Sequence, residues 1–342
     1  MPLPTIHYSQ MYTVQRCWRK WFYSYFQAIQ PLVARDYFVV GTAVHRTIRA
    51  FFDGNPPEIG ALTYRTKEGE TLNVDGDEWA ATWMTAWAES SAHAELDLCS
   101  GEAVCMERAL QAELPCGVAL AGTIDLLLEM PDGMRVVVDS KSTDNLPQAE
   151  PWMHADLQGS LYALLAVVNE LMPRDQITFA YHYVLREVPP LPKRLKSGKF
   201  STDQRTRTDQ LRFLEALRAE GTDPAEYKEF IAGLPVQRMM RVISSHRFPS
   251  QLDDALFTAD NLAQMLMGRW DALLEIGCEP RANVPAPNGI AERSVRRECN
   301  WDCPYRALCF VELEGGDSTE IRTGFHVAEP RYDVEEQEPA AE

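Results

Sequence analysis

No stretch of this chain stays apolar for long. The longest such run, Leu161 to Val168, is broken by Tyr162. It falls well short of the ~18 residues a membrane-spanning helix needs, so no membrane span is expected. The first residues, MPLPTIHYSQMYTVQRCWRKW, have no apolar segment behind a basic start. No secretory leader is therefore expected, and the chain reads as cytoplasmic. Repeats with a period of about 20–50 residues are absent, which excludes solenoids and propellers. No GxxxxGK[ST] stretch occurs, so no nucleotide-driven motor is encoded. Positive charge is also scarce, with 33 Lys and Arg against 50 Asp and Glu and a net charge of −17. That balance argues against a general polyanion binder, although a local basic patch outweighs the total. What is present is an ordinary globular composition, 45% hydrophobic and 24% charged over 342 residues, enough for a substantial core.

The chain reads as mixed α/β. Ser9 is placed to cap a helix through MYTVQRCWRKWFYSYF, and a second helix, GTAVHRTIRAFFDG, closes at Asp53-Gly54. The stretch from Asp77 to about Leu110 predicts two helices. VALAGTIDLLLEM and MRVVVDSKS, joined by Pro131-Asp132-Gly133, predict an antiparallel hairpin. A helix over Trp152–Leu171 and a strand around ITFAYHYVLR follow, ended by Pro189, Pro190 and Pro192. Two helices near Asp209–Glu220 and Pro224–Leu234, a strand VQRMMRVISSHRF and a long helix from Leu252 to about Glu275 complete the middle. Residues 1–327 read as one domain with a basic helical insertion at about 190–235. Residues 328–342 read as an acidic, solvated tail. The segment Lys193–Arg212 carries seven basic and two acidic residues. It is either a solvated face or a path for a polyanion.

The hairpin carries the chemistry. A strand has a period of two, so Asp139 and Lys141 share a face and Ser140 points away. Asp125 on the neighbouring strand can approach Asp139, which gathers two carboxylates and an ammonium. Such carboxylates repel unless a cation lies between them, and oxygen donors suit Mg²⁺ or Mn²⁺. The lysine would orient a water or help deprotonate it for attack on a phosphodiester. His45, one turn after Gly41, is a further ligand or a packed helical histidine. Gln158 and Tyr162 share a helix face, either to position DNA or the lysine or as a polar pair at a helix boundary.

In this order, GTAVH, AGTID, VVVDSK and LQGSLYA resemble the PD-(D/E)XK nuclease superfamily and its RecB-like branch. The resemblance implies a restriction-endonuclease-like mixed sheet flanked by helices. It implies metal ligation by His45, Asp125, Asp139 and the main-chain carbonyl of Ser140, with Lys141 as the catalytic lysine. Gln158 and Tyr162 match the helix motif, and Glu113 is a further carboxylate to be placed near the site.

Eight cysteines in a cytoplasmic chain are not expected to form four disulfides. Cys299, Cys303 and Cys309 cluster within RECNWDCPYRALCF, and three thiolates need a fourth partner for a closed site, for which Cys17 is the candidate. Cys99, Cys105, Cys116 and Cys278 read as core residues. One early and three late cysteines around a nuclease core resemble the iron–sulfur members of the RecB-like nucleases. These include the CRISPR-associated RecB-like exonucleases and nuclease parts of bacterial recombination-repair complexes. That resemblance implies a 4Fe–4S cluster stapling the N- and C-terminal segments, with structural Zn²⁺ as the alternative.

The reading is a Mg²⁺- or Mn²⁺-dependent DNA exonuclease acting on single strands or duplex ends in phage or bacterial DNA recombination, repair or processing. The chain reads either as a stand-alone nuclease or as one subunit of a complex with recombination or CRISPR-type protein partners. Lys193, Arg194, Lys196, Lys199, Arg205 and Arg207 are the candidate DNA-binding residues, extended by Arg16, Arg19, Lys20, Arg296 and Arg297. Trp18, Trp21 and Tyr23 are stacking residues or core. The rival readings are a structure-selective endonuclease, a non-catalytic DNA-binding or scaffold partner, and a zinc-stapled protein without nuclease activity.

Overall fold

The fold is that of a computed structural model describing residues 5–32, 36–65, 71–148, 151–203, 205, 207–285, 299 and 303–328. The acidic tail and the Arg296-Arg297 pair lie outside the described residues. In chain order, β1 (Thr5–His7), α1 (Tyr8–Arg16), α2 (Trp18–Trp21), β2 (Ile29–Pro31) and α3 (Asp36–Phe52) come first. Then follow β3 (Ala61–Arg65), β4 (Thr71–Asp75), α4 (Gly76–Ser91), β5 (Glu102–Glu113), β6 (Ala119–Glu129) and β7 (Arg135–Thr143). The middle holds α5 (Leu157–Val168), β8 (Ile177–Leu185), α6 (Gln210–Ala219), α7 (Lys228–Ala232) and β9 (Met240–Arg247). Last come α8 (Pro249–Glu275), α9 (Arg306–Leu313), α10 (Thr319–Arg322) and β10 (Phe325–Val327). Two compact units result: residues 1–34, 109–123 and 252–342 form one, and residues 35–108 and 124–251 the other. The chain passes between them four times, before α3, within β5, within β6 and in the first turn of α8.

The second unit is built on β6, β7, β8 and β9 in that order. The β6–β7 hairpin is antiparallel with Leu126 opposite Val138, β7 and β8 run parallel with Ser140 opposite His182, and β9 returns antiparallel. Val136, Val138, Leu126 and Leu128 pack one sheet face onto Val40, Val44 and Ile48 of α3 and Trp83 and Trp87 of α4. Helix α4 starts where Asp75 accepts the N–H groups of Asp77 and Glu78, satisfying donors that have no partner inside the helix. The insertion has a small core of its own, in which Phe200, Phe213, Leu217 and Tyr227 meet.

In the first unit β1 pairs parallel with the opening residues of β6, and β10 pairs with β2. Phe26 packs against Phe22 and Trp270, and Tyr23 against Tyr305.

Two local expectations are corrected. The N-terminal helix is not continuous, because Cys17 takes an extended backbone (φ −162°, ψ 111°) between α1 and α2. The second helix expected before Leu110 is instead β5, which pairs with β6. EAVCMERALQAE is rich in helix formers, and sheet pairing overrides that propensity.

Candidate active site and cysteine cavity

An open cleft of about 720 Å³ in the second unit gathers the residues of the hairpin and of α3. Helix α3 supplies Gly41, Thr42, His45, Arg46 and Arg49, and β7 supplies Asp139, Ser140, Lys141 and Ser142. Glu107, Asp125, Tyr162 and Arg186 complete the lining. Gly41 lets helix and strand approach, since a Cβ there would lie only 3.2 Å from Ser142 Oγ.

Asp125 stands one step beyond the Leu126–Val138 pair and so faces Asp139 across the hairpin. The Ser140 amide donates to Asp125 Oδ2 at 2.8 Å. His45 Nδ1 lies 3.9 Å from that oxygen and 3.3 Å from Glu107 Oε1. Ligand atoms of His45, Glu107 and Asp125 all fall within 4.8 Å of one another. Burial raises the Asp125 pKa, and the Asp139 carboxylate raises it further. For His45, burial pulls downward, but the Glu107 hydrogen bond and the Asp125, Glu107 and Asp139 carboxylates outweigh it and leave the imidazole raised.

Asp139 is 2% exposed. Its Oδ1 accepts from Lys141 Nζ at 2.9 Å and from Gln158 Nε2 at 3.1 Å. Its Oδ2 has only the Lys141 ion-pair contact at 2.8 Å and no hydrogen bond, so lone pairs remain available to a cation. Burial opposes the Lys141 charge, but Asp139 and Asp125 hold its pKa above the ordinary lysine value. Tyr162, one turn after Gln158 on α5, has its pKa pushed up to about 12, by burial first and then by Asp139.

Behind the strand, the pleat turns Ser140 the other way. Its Oγ meets His182 Nδ1 at 3.1 Å, and Trp87 Nε1 donates to His182 Nε2 at 2.9 Å. Trp can only donate, so Nε2 must be the unprotonated nitrogen and Nδ1–H faces Ser140. Burial lowers the His182 pKa to about 3. At the N-terminus of α5, Asp156 Oδ2 accepts the Gly159 amide and the Tyr181 hydroxyl, and Oδ1 accepts Arg247 Nη2 at 2.8 Å.

Of the residues singled out by sequence, His45, Asp125, Asp139, Ser140, Lys141 and Tyr162 line the cleft, and Gln158 reaches it through Asp139. Glu113, exposed at the end of β5, is not among the lining residues; Glu107, six residues earlier on that strand, is. Glu107 has φ +45°, a strained value for a side-chain-bearing residue, which marks a local distortion in mid-strand. Nothing in EAVCMERALQAE announces that kink. Arg46 and Arg49 also line the cleft, and the i, i+4 spacing of His45 and Arg49 is the sequence signal that puts the second of them there.

The insertion's basic residues do not line the cleft. Lys193, Arg194, Lys196 and Lys199 are exposed around a turn bridged by Arg194 and Phe200. Arg205 and Arg207 are exposed too, with Arg205 paired to Asp203, Arg194 to Glu220, and Arg207 donating to Asn145. Tyr23, Trp21 and Arg19 are buried (0%, 2% and 2% exposed), so none of them is a surface contact for nucleic acid.

In the first unit, Cys17, Cys299, Cys303 and Cys309 line one cavity with Arg19, Lys20, Tyr23 and Arg306. No disulfide forms among the described residues. Cys99, Cys105, Cys116 and Cys278 lie apart from that cavity and are half-buried, and Cys99 packs against the hydrophobic core of the second unit.

A family profile of the PD-(D/E)XK nuclease superfamily matches residues 5–310, and the chain belongs to that superfamily. No curated protein matches it. Two solved structures resemble it distantly. One is a candidate exonuclease from Eubacterium rectale, 15% identical over 79% of this chain and 80% of that one, with a TM-score of 0.34. The other, SSO0001, is 10% identical over 90% and 85% of the two chains, with a TM-score of 0.31. Likenesses this low bear on neither activity nor substrate. Among the described residues, no helix is long and apolar enough to cross a membrane.

Proposed function

We propose that this nuclease is a divalent-metal-dependent DNA exonuclease of the RecB-like branch, acting on single strands or duplex ends. The observation that carries the reading is the convergence of His45, Glu107 and Asp125 beside the Asp139–Lys141 pair. This donor set fits a hard cation: it combines carboxylate oxygens with one imidazole, raised pKa values that mark charge without a counter-ion, and an Asp139 oxygen with no hydrogen bond. His45, Asp125, Asp139 and the Ser140 carbonyl would hold it, with Glu107 as an added ligand. When bound, the cation lowers the pKa of a water and offsets charge developing at phosphorus.

The chain's own groups do the rest. Lys141, kept protonated by Asp139, orients the nucleophile and faces the scissile phosphate as an ammonium. Gln158 fixes the Asp139 carboxylate, and Tyr162 borders the cleft beside it. Arg46, Arg49 and Arg186 supply positive charge along the cleft for a phosphate backbone. The exposed Lys193–Lys199 turn extends that attraction to a longer strand.

The cysteine cavity is read as a 4Fe–4S site held by Cys17, Cys299, Cys303 and Cys309. Support comes from the four cysteines, one early and three late in the chain, lining one cavity, with structural Zn²⁺ as the alternative occupant.

End-labelled single-stranded, duplex and circular DNA, incubated with Mg²⁺, Mn²⁺ or EDTA, tests the reading. Metal-dependent release of nucleotides from linear DNA, with circles left intact, is expected. Cleavage of circles would make the enzyme an endonuclease, and no cleavage in any metal would sink the reading.

A further inference from the structure

Glu312 is an overcommitted carboxylate. It accepts from Arg322 Nη2 at 2.5 Å, Tyr23 Oη at 2.7 Å and Ser318 Oγ at 3.2 Å. Arg19 Nη2 approaches the same carboxylate only to 3.5 Å. Two guanidinium groups, each under 5% exposed, therefore share one negative charge. Arg19 Nε and Nη1 are buried and have no hydrogen-bond partner within the protein. A buried cation only partly offset by a shared carboxylate, with two donors unmet, is unfavourable, so this site favours a further anionic hydrogen-bond acceptor beside Arg19.

The cavity that Arg19 lines is the one lined by the four cysteines. Lys20 and Arg306 border it too, adding positive charge, and Tyr23 offers Arg19 only its ring, 5.5 Å away. Among the described residues that line the cavity, none is a carboxylate that could supply the missing charge. Four thiolates around a doubly positive iron–sulfur core carry a net charge of −2 and present several sulfur acceptors.

We propose that Arg19 is a positioning residue of the cysteine centre, donating from Nε–H and Nη1–H to sulfur atoms of a bound 4Fe–4S cluster and offsetting its charge. The proposal rests on the cluster reading given above. Hydrogen bonds to the sulfurs and nearby positive charge favour the reduced, more negative cluster, so Arg19 raises its reduction potential.

Full-length protein, purified anaerobically as wild type, Arg19→Met and Arg19→Lys, tests this. Iron and sulfide are assayed first, then each cluster is titrated with dithionite and followed by EPR. Arg19→Met keeps all four cysteines and is expected to lower the equilibrium constant for one-electron reduction at least tenfold, a shift of about 59 mV. Arg19→Lys restores charge without the paired donors and should recover part of the shift. In protein labelled with ¹⁵N-arginine, pulsed EPR of the reduced cluster should detect a coupled ¹⁵N that persists in Arg306→Lys, which removes the other arginine of the cavity. That measurement decides the matter if Arg19→Met fails to assemble. An unchanged potential in fully loaded Arg19→Met, or no coupled ¹⁵N, overturns the proposal. Wild-type protein that contains zinc and no iron would instead overturn the cluster reading, and this proposal with it.

Discussion

Asp125, through burial and the nearby Asp139, and His45, through the carboxylates around it, are both held toward their protonated forms. Both have raised pKa values in the folded chain, so the folded state binds protons that the unfolded chain has already released. Their stabilisation is complete at low pH and is lost as pH rises through the folded values. The gap in melting temperature between protein in saturating Mg²⁺ and protein in EDTA should therefore widen as pH climbs from about 4 toward neutrality, because the buried, neutral His182 shifts both curves alike. Calorimetry in EDTA and in Mg²⁺ across that range checks it; parallel curves would count against a cation at these residues. Asp125→Ala and Asp139→Ala should abolish cleavage with the fold intact, and Lys141→Ala should cost about 10²–10⁴-fold while retaining more metal affinity. If either aspartate variant degrades DNA at the wild-type rate, the assignment fails. At this scale much of the site was legible, because a strand's period of two forces Asp139 and Lys141 onto one face. Glu107 was not, because its place in the cleft depends on a distorted backbone that no residue type in β5 requires.

Helix α5 is the element that brings Gln158 to Asp139, and its seating depends on a buried pair. Arg247, 0% exposed, holds Asp156, which in turn caps the helix at Gly159. A Cβ on Gly159 would sit 2.6 Å from Arg247 Nη2 and 2.9 Å from the Phe179 ring, so glycine here fixes how closely the helix lies on the sheet. Asp156→Ala should cost about 1 kcal/mol for the lost cap, and about 3–5 kcal/mol more for stranding the arginine. Nuclease activity should fall with it, because Gln158 and Tyr162 lie on the first turns. Thermal melts and single-turnover cleavage measure both, and wild-type values in both would remove the pair from the account. The basic turn of the insertion is a separate matter. Neutralising Lys193, Arg194, Lys196 and Lys199 together should weaken DNA binding and flatten its salt dependence, with little effect on cleavage at saturating DNA. An unchanged salt slope would return that turn to solvent. The helices and the hairpin were readable from periodicity and turn residues, whereas β5 was not, since its composition favours helix and only its partner strand makes it extended.

Across the whole molecule, the division into two units was hidden from the sequence, because no linker composition marks a boundary that falls inside β5 and β6. The cysteine spacing was visible, but the buried arginines beside it were not. Cys17→Ser should lower both metal content and melting temperature more than Cys116→Ser, whose thiol lies apart from the cavity. Iron and zinc analysis with melting curves decides this, and full metal content in Cys17→Ser would place the fourth ligand elsewhere. The unit containing this cavity is drawn from both early and late parts of the chain, whereas the nuclease unit is complete by residue 251. Its assembly is thus ordered in time. At about 5–20 residues per second, Cys17 leaves the ribosome roughly 15 seconds to a minute before Cys299 follows. The active-site cleft can form in that interval while the early thiol waits, exposed to oxidants and to stray metal, for the partners that close its cavity.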